Sequence, residues 1–196
     1  MASTVSGAAG GGSDPARTLL VLRHAKAVPG RPGADDFSRP LTARGKGDAV
    51  AAGRWLRESC LAPDLVLCSP ALRTRQTWES VLSGLGPGGQ TAEVAIERRL
   101  YQADELLLLE CVRQTRDQAL TLLVVGHNPA ARQLAADVTG ALDLSFPTCA
   151  LAVIRLTCGW AATGGGAGEL AALWTPKAGP GGAPPVAAPP AAPPHG

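Results

Sequence analysis

Aromatic residues are scarce in this sequence, at 4% of 196 residues, so aliphatic side chains must form most of a hydrophobic core. Blocks of like charge are absent from the sequence. The net charge is also small, because 18 Lys and Arg residues are nearly balanced by 16 Asp and Glu residues. A surface that binds nucleic acid needs clustered cations, so we expect no nucleic-acid partner. No apolar run approaches the roughly 20 residues of a membrane-spanning helix, and we expect no membrane partner.

The N-terminus and the cysteines indicate a compartment. Residues 1–12 contain neither Lys nor Arg and no apolar stretch, which argues against a signal peptide. The five cysteines are odd in number, and none of them are in CxxC spacing. Most of them sit in apolar stretches, which is typical of small core residues in a reducing compartment. We therefore expect a cytoplasmic protein.

Both ends of the chain lack the large apolar residues that a core requires. Residues 1–16 are rich in Gly, Ala and Ser, and residues 178–196 are almost entirely Ala, Pro and Gly. Ordering a residue costs roughly 1–2 kcal/mol, which such compositions cannot offset. We predict two disordered tails, 1–16 and 178–196, around one domain at residues 17–177, with His195 solvated and inert in the second tail.

Strand-like and helix-like segments alternate between the tails. Short apolar stretches predict strands, and apolar residues at helical spacing predict helices. The predicted strands are residues 18–22, 64–68, 94–96, 120–125, 150–156 and 170–174, and the predicted helices are residues 43–58, 71–82, 104–116 and 129–138, with a Gly/Pro loop at 84–89. This alternation predicts an α/β fold: a three-layer open sandwich with a mostly parallel central sheet and helices on both faces.

Three polar motifs each follow a predicted strand. Arg23 and His24 follow the first strand, Ser69 and Arg73 follow the second, and His127 follows the fourth. Open α/β sheets bind their ligands just beyond the carboxyl ends of their strands. We therefore expect these side chains to share one site at one edge of the sheet.

The residue types at this edge suit phosphoryl transfer. A phosphoryl group in flight carries charge on three oxygens, which the planar, permanently charged guanidinium groups of Arg23 and Arg73 can stabilise. A neutral histidine can attack phosphorus, and His24, directly beside Arg23, is the better candidate for the nucleophile. His127 stands at a helix start, where it can donate to a phosphate oxygen.

Other phosphate chemistries fit the sequence poorly. Cys149 and Arg155 have the Cys-x5-Arg spacing of a cysteine phosphatase, but the five residues between them predict a buried strand rather than a phosphate-binding loop. A Walker-type glycine loop and a Gly-x-Ser-x-Gly elbow are both lacking. Three histidines, one of them in a tail, give no convincing metal site, so we expect no metal and no cofactor.

The ordered set of motifs resembles the histidine phosphatase superfamily, in its short SixA-like phosphohistidine phosphatase branch. The matching motifs are Leu-Arg-His-Ala-Lys-Ala at 22–27, Asp-Phe-Ser-Arg-Pro-Leu-Thr-Ala-Arg-Gly at 36–45, Ser-Pro-Ala-Leu-Arg-Thr-Arg-Gln-Thr at 69–77, Leu-Tyr-Gln-Ala at 100–103, Val-Gly-His-Asn-Pro at 125–129, Pro-Thr-Cys-Ala at 147–150 and Trp-Thr-Pro-Lys at 174–177. The match spans about residues 17–177. It implies a phosphoglycerate-mutase-like fold and a metal-independent phosphatase.

The resemblance also implies roles for individual residues. His24 would be the phosphorylated residue, and Arg23, Arg73 and His127 would complete the phosphate pocket. The roles of Arg39 and Arg44 stay open. Each of them either lines the entrance and binds substrate or stands on the surface.

The sequence departs from the larger members of the superfamily in two ways. No long insertion between Thr77 and Gly126 can form a cap over the pocket, and no acid that protonates the leaving group is identifiable, although Glu93 and Glu97 are the nearest candidates in order. An uncapped pocket admits a protein side chain, and protonated phosphoimidazole expels neutral imidazole with less need of an acid. Both points favour protein phosphohistidine as substrate.

Alternative functions remain open from the sequence. A small-molecule phosphate ester would also fit an uncapped pocket, and a non-catalytic regulator that binds a phospho-ligand would not need an acid. The expected partner is therefore a phosphorylated protein or a small phosphate ester, and we expect the protein to be a monomer.

Overall fold

A computed structural model describes residues 16–33 and 35–177 of the chain. Except for Ala16, the two predicted tails lie outside the described residues, so their disorder and the domain bounds stay predictions. The described ranges form six strands and four α-helices: β1 Arg17–Arg23, α1 Ala43–Glu58, β2 Leu65–Cys68, α2 Leu72–Leu85, β3 Glu93–Ile96, α3 Glu105–Arg113, β4 Thr121–Gly126, α4 Ala130–Thr139, β5 Leu151–Leu156 and β6 Gly168–Trp174. Short 3-10 helices span Gly86–Gly89, Arg98–Tyr101 and Trp160–Ala162.

The strands form one sheet in the order β3-β2-β4-β1-β5-β6. The first four strands in this order are parallel, whereas β5 runs antiparallel to both β1 and β6. Arg23 at the end of β1 pairs with Gly126 at the end of β4, and Cys68 at the end of β2 pairs with Val125. The carboxyl ends of three neighbouring strands therefore meet at one edge of the sheet.

Helices cover both faces of the sheet. Successive residues of a strand point to opposite faces. Leu20 and Leu22 of β1 pack in a buried cluster with α1 and α2, whereas Leu19 and Val21 pack in a second cluster with α3 and α4. Burial on both faces explains the continuous apolar character of the central strands. The predicted three-layer α/β sandwich with a mostly parallel sheet is confirmed.

Helices α1 and α2 approach each other closely because each contributes a glycine where they meet. A Cβ atom on Gly53 or on Gly84 would strike a backbone carbonyl oxygen of the other helix. The sequence predicts a loop at 84–89, but α2 continues to Leu85 and a 3-10 helix at Gly86–Gly89 follows it. Gly84 therefore permits close packing rather than a turn.

Side-chain caps define where α1 and α3 begin. Thr42 accepts a hydrogen bond from the Gly45 N–H at 3.0 Å, which satisfies a free donor of the first turn of α1. Asp104 caps α3 through the Leu107 N–H at 2.9 Å. None of the helices in the described ranges has both the length and the apolar character required to cross a membrane.

Candidate active site

Three neighbouring elements hold the backbone at His24, immediately after β1. The His24 N–H donates to the carbonyl oxygen of Gly126 at 3.0 Å, and its own carbonyl oxygen accepts from the Cys149 N–H at 3.1 Å. The N–H of Ala25 donates to Thr77 Oγ1 on α2 at 3.0 Å. The loop therefore has hydrogen bonds to β4, to the segment before β5 and to α2.

The ring of His24 is held in a defined tautomer. Its Nδ1 lies 2.8 Å from the carbonyl oxygen of Ala25. A carbonyl oxygen can only accept, so Nδ1 carries the proton and Nε2 of the neutral ring keeps its lone pair. Burial, opposed by this hydrogen bond and reinforced by the charges of Arg73 and Arg23, lowers the pKa of His24 to about 4. The ring is therefore neutral at pH 7.

His127 follows β4 and lies beside His24, with 5.3 Å between the two ring centroids. Its Nε2 is 2.8 Å from Ser69 Oγ, at the end of β2. Its Nδ1 is buried and has no hydrogen-bond partner among the residues that the structure describes. Burial and the charge of Arg73 lower the pKa of His127 to about 3, so this ring is also neutral at pH 7.

Arg73, in the first turn of α2, is a buried cation beside the two histidines, whose pKa values its charge lowers. Its side chain is 7% exposed, and its Nη2 lies 3.0 Å from Asp36 Oδ2. Its Nη1 donates to the main-chain oxygen of Asp36 at 2.7 Å. Asp36 therefore fixes the orientation of this guanidinium through two contacts.

The carboxylate of Asp36 joins several side chains of the site. It accepts from Arg39 Nε at 2.7 Å and from the Tyr101 hydroxyl at 3.1 Å, in addition to its contact with Arg73. Burial acts to raise the pKa of Asp36, but the hydrogen bond from Arg39, the charge of Arg73 and the hydrogen bond from Tyr101 together hold it below its ordinary value. The carboxylate is therefore ionised and serves as an acceptor.

Arg23, at the end of β1, is oriented by the loop that precedes β5. Its Nη1 donates to the carbonyl oxygen of Phe146 at 2.9 Å, and Asn128 Nδ2 donates to the same oxygen at 2.9 Å. Burial lowers the pKa of Arg23, but its guanidinium stays charged because an arginine side chain does not lose its proton near neutral pH. Asn128, which adjoins His127, therefore helps to place the carbonyl that orients Arg23.

An aromatic pair forms the rim of the site. The ring centroid of Tyr101 is 6.0 Å from that of His127, and Arg73 Cζ is 6.0 Å from the Tyr101 centroid. Phe37 contacts Tyr101 edge to face at 5.0 Å. The structure therefore places Tyr101 at the mouth of the site. The Leu-Tyr-Gln-Ala motif was the available signal for this position.

The two arginines with open roles occupy different places. Arg39 donates to Asp36, and its charge contributes to the low pKa of His24. Arg44 is 63% exposed, pairs with Asp48 at 3.8 Å, and lines a separate cleft of about 800 Å³. The structure therefore brings Arg39, but not Arg44, into contact with the residues around His24.

The two acid candidates form ion pairs outside this cluster. Glu93 pairs with Arg116 at 2.6 Å, and Glu97 pairs with Arg99 at 3.1 Å. Glu97 also accepts from the Arg99 N–H at the start of a 3-10 helix. Neither carboxylate contacts His24 or His127 in the part of the chain that the structure describes.

The cysteine-phosphatase spacing has a structural explanation. Cys149 is fully buried, and burial raises the pKa of its thiol. Arg155 lies within β5 and donates to Thr18 Oγ1 at 2.6 Å. The intervening residues form a strand, as predicted, and cannot cradle a phosphate. Within residues 16–33 and 35–177, no group of three or more His, Cys, Asp or Glu side chains could hold a metal ion.

Comparison with known proteins gives a family for this site. The family model described as histidine phosphatase superfamily (branch 1) matches residues 19–104. The phosphohistidine phosphatase SixA of Escherichia coli (strain K12) is 30% identical over 141 residues, which cover 70% of this chain and 84% of that protein.

Solved structures agree with this relationship. A protein from Nakamurella multipartitia, assigned as a phosphohistidine phosphatase SixA, is 34% identical with a TM-score of 0.71, covering 83% of this chain and 97% of that chain. A structure of the protein histidine phosphatase SixA complexed with tungstate is 26% identical with a TM-score of 0.70, covering 82% and 97% of the two chains. The chain is therefore a phosphatase that belongs to the histidine phosphatase superfamily, in its SixA-like branch.

Proposed function

We propose that this phosphatase works without a metal, through a covalent phosphohistidine on His24, and that its substrate is protein phosphohistidine. One observation carries the proposal: His24 Nδ1 donates to the carbonyl oxygen of Ala25, which leaves Nε2 as a free nucleophile in a neutral ring. A histidine that must attack phosphorus needs this tautomer and this charge state.

The phosphoryl oxygens would be held by the donors around His24. Arg23 and Arg73 supply permanent positive charge, and the ring of His127 supplies a neutral donor when the Ser69 hydroxyl donates to its Nε2 and leaves the proton on Nδ1. Arg39, which donates to Asp36, is proposed to contact substrate at the entrance of the site. Arg44 is proposed to contact substrate farther from His24. The tungstate bound by the solved SixA structure, a tetrahedral oxyanion like phosphate, supports such a pocket.

The reaction has two balanced steps. Nε2 of His24 attacks phosphorus, and a new N–P bond forms as the bond from phosphorus to the leaving group breaks. When the substrate is a protonated phosphoimidazole, the leaving imidazole departs neutral with its own proton. Water then attacks phosphorus, the N–P bond to His24 breaks, and both water protons leave with the phosphate as H₂PO₄⁻. Nδ1 keeps its proton throughout, so the starting tautomer is restored.

The choice of protein phosphohistidine rests on the lack of a proton donor among the carboxyl groups near the described site. Asp36 is the carboxylate that contacts the site, and its pKa lies below the ordinary value, so it cannot donate a proton at neutral pH. Glu93 and Glu97 are engaged with arginines elsewhere. An alkoxide leaving group needs a proton donor, whereas imidazole does not.

The access to the site supports a protein substrate. The chain between α2 and β4 forms β3 and α3 of the sandwich, and contributes Tyr101 to the rim rather than a cap. A phosphorylated side chain on another protein can therefore approach His24. We further propose that the enzyme is a monomer in the cytoplasm. Its single catalytic domain would span residues 17–177.

The test compares kinetics without added metal on a phosphohistidine protein and on para-nitrophenyl phosphate. We expect turnover of both, a higher kcat/KM for phosphohistidine, and loss of turnover in His24→Ala but not in His195→Ala, which removes the histidine outside the described residues. Higher kcat/KM for the ester would favour the alternative, a small-molecule phosphatase. Turnover that survives His24→Ala would refute the mechanism.

A second comparison tests the arginines. Arg73→Ala is expected to lower kcat by about 10²–10³, because removal of one donor that stabilises a developing oxyanion typically has that cost in enzymes. Arg75→Ala is the matched control, since Arg75 is exposed and lies two residues further along the same helix. With para-nitrophenyl phosphate as substrate, equal losses in the two variants would contradict the assignment of Arg73 to the pocket.

A further inference from the structure

A groove adjoins the active site on the side of Tyr101. It has a volume of about 630 Å³, and six residues line it: Phe37, Pro70, Arg75, Ile96, Arg98 and Tyr101. We call it the rim groove. Tyr101 belongs to both places, because its ring faces His127 and its hydroxyl donates to Asp36. A polypeptide lying in the rim groove would therefore continue directly into the site.

The rim groove leaves large apolar side chains exposed. Phe37 is 37% exposed and Ile96 is 49% exposed. Ile96 ends β3, an edge strand of the sheet, and Phe37 packs on Tyr101. Adjacent exposed apolar groups rimmed by polar residues mark interaction sites, and aromatic residues often anchor them. This part of the groove fits an apolar side chain of a partner.

The side chains that line the rim groove carry positive charge, from Arg75 and Arg98. Arg75 and Arg98 are both exposed, and neither forms an ion pair within residues 16–33 and 35–177. No carboxylate lines the groove. Glu79 stands one turn further along α2 and is not part of the lining, and Glu97 is paired with Arg99. The groove therefore complements acidic side chains.

We propose that the rim groove docks the polypeptide around the phosphorylated residue of a protein substrate, and selects segments in which an apolar residue is flanked by acidic ones. The inference rests on the proposed function, since it assumes that the substrate is protein phosphohistidine. Contacts remote from phosphorus contribute through substrate binding, so they act on kcat/KM of a polypeptide and not on that of a small ester.

The experiment uses two synthetic peptides that carry one phosphohistidine and the same apolar neighbour, flanked by Glu in one and by Lys in the other. Phosphate release is measured for the full chain at low and at high salt. We expect kcat/KM to be about tenfold higher for the Glu peptide at low salt, from two exposed charge pairs of modest strength. This preference should shrink at about 0.5 M salt, because exposed charges are screened.

The variants locate the preference. In the double variant Arg75→Glu and Arg98→Glu the preference should invert toward the Lys peptide. The matched control, Lys46→Glu and Arg54→Glu, makes the same charge change on exposed positions of α1 outside the groove and should keep the preference for Glu. Turnover of para-nitrophenyl phosphate, which has no flanking polypeptide, reports whether each variant is folded and active.

The outcomes separate docking from function. Equal hydrolysis of both peptides by the wild type, or a preference that the groove variant retains, overturns the docking proposal and leaves the proposed function intact. Hydrolysis of the ester but of neither peptide overturns the protein substrate and the docking with it. A wild-type dimer in sedimentation that the groove variant dissociates would assign the groove to a second copy of this chain, and would also overturn the proposal.

Discussion

The charge state of His24 leads to a pH prediction that differs from the behaviour of an ordinary histidine. Burial and the neighbouring arginines lower its pKa to about 4. At pH 5.5 an ordinary histidine with a pKa of about 6.5 is only about one tenth neutral, whereas His24 should be about 97% neutral. Protonation removes the nucleophilic lone pair, so activity should fall only as the pH approaches about 4.

Two assays measure the pKa of His24. In the pH profile of kcat/KM, corrected for ionisation of the substrate, the acid limb should lie near pH 4, and the rate at pH 5.5 should exceed that expected for an ordinary histidine by about tenfold. Nitrogen-15 NMR of the imidazoles should show His24 as the Nδ1–H tautomer from pH 7 down to about pH 5, with resonances assigned by His24→Ala and His127→Ala.

The reference for this titration is an ordinary histidine, with a pKa of about 6.5. An acid limb near pH 6.5, or a His24 resonance that titrates there, would refute the claim that burial and the arginines keep this ring neutral.

Further variants test the packing and the positioning of the site. Asp36→Asn removes the charge that orients Arg73, so kcat/KM on para-nitrophenyl phosphate should fall by about 10–100-fold, while unfolding free energy falls by only about 1 kcal/mol because the carboxylate is 54% exposed. Unchanged kinetics would contradict the positioning role. Gly53→Ala should lower the unfolding free energy by about 1–3 kcal/mol, since its Cβ meets the backbone of α2. Gly47→Ala, on an open face of α1, should raise it by about 0.4–1 kcal/mol. Destabilisation of equal size in both glycine variants in thermal or denaturant unfolding would disprove the close approach of the helices.

The fold was predictable because its signals are local and strong. The strands β1 and β4 are continuous apolar stretches covered on both faces, and each is followed at once by a polar motif that marks the sheet edge. Because parallel strands place their carboxyl ends together, sequence position alone predicts that His24 and His127 are neighbours. The structure places their ring centroids 5.3 Å apart.

The sequence allowed a structural role for Asp36, in holding its loop or orienting an arginine, but its partners were not predictable from local sequence. Asp36 meets Tyr101 across 65 residues of chain, and it meets Arg73 across 37 residues, so their partnership depends on how two loops lie on the folded sheet. A loop carries no periodic pattern that would show which way its carboxylate points. Gly84 illustrates the opposite error, since local propensity favours a loop there while packing against α1 keeps it in α2.

Rapid quenching can trap the proposed covalent phosphohistidine on His24. The full-length enzyme is mixed with a ³²P-labelled substrate, quenched within milliseconds in alkali, and mapped by mass spectrometry. The mechanism predicts one label on His24 that is stable to alkali and labile to acid, forms before phosphate is released, and is absent from His24→Ala. Label on Cys149 would contradict the mechanism. Steady phosphate release with no label on His24 at any time would also contradict it.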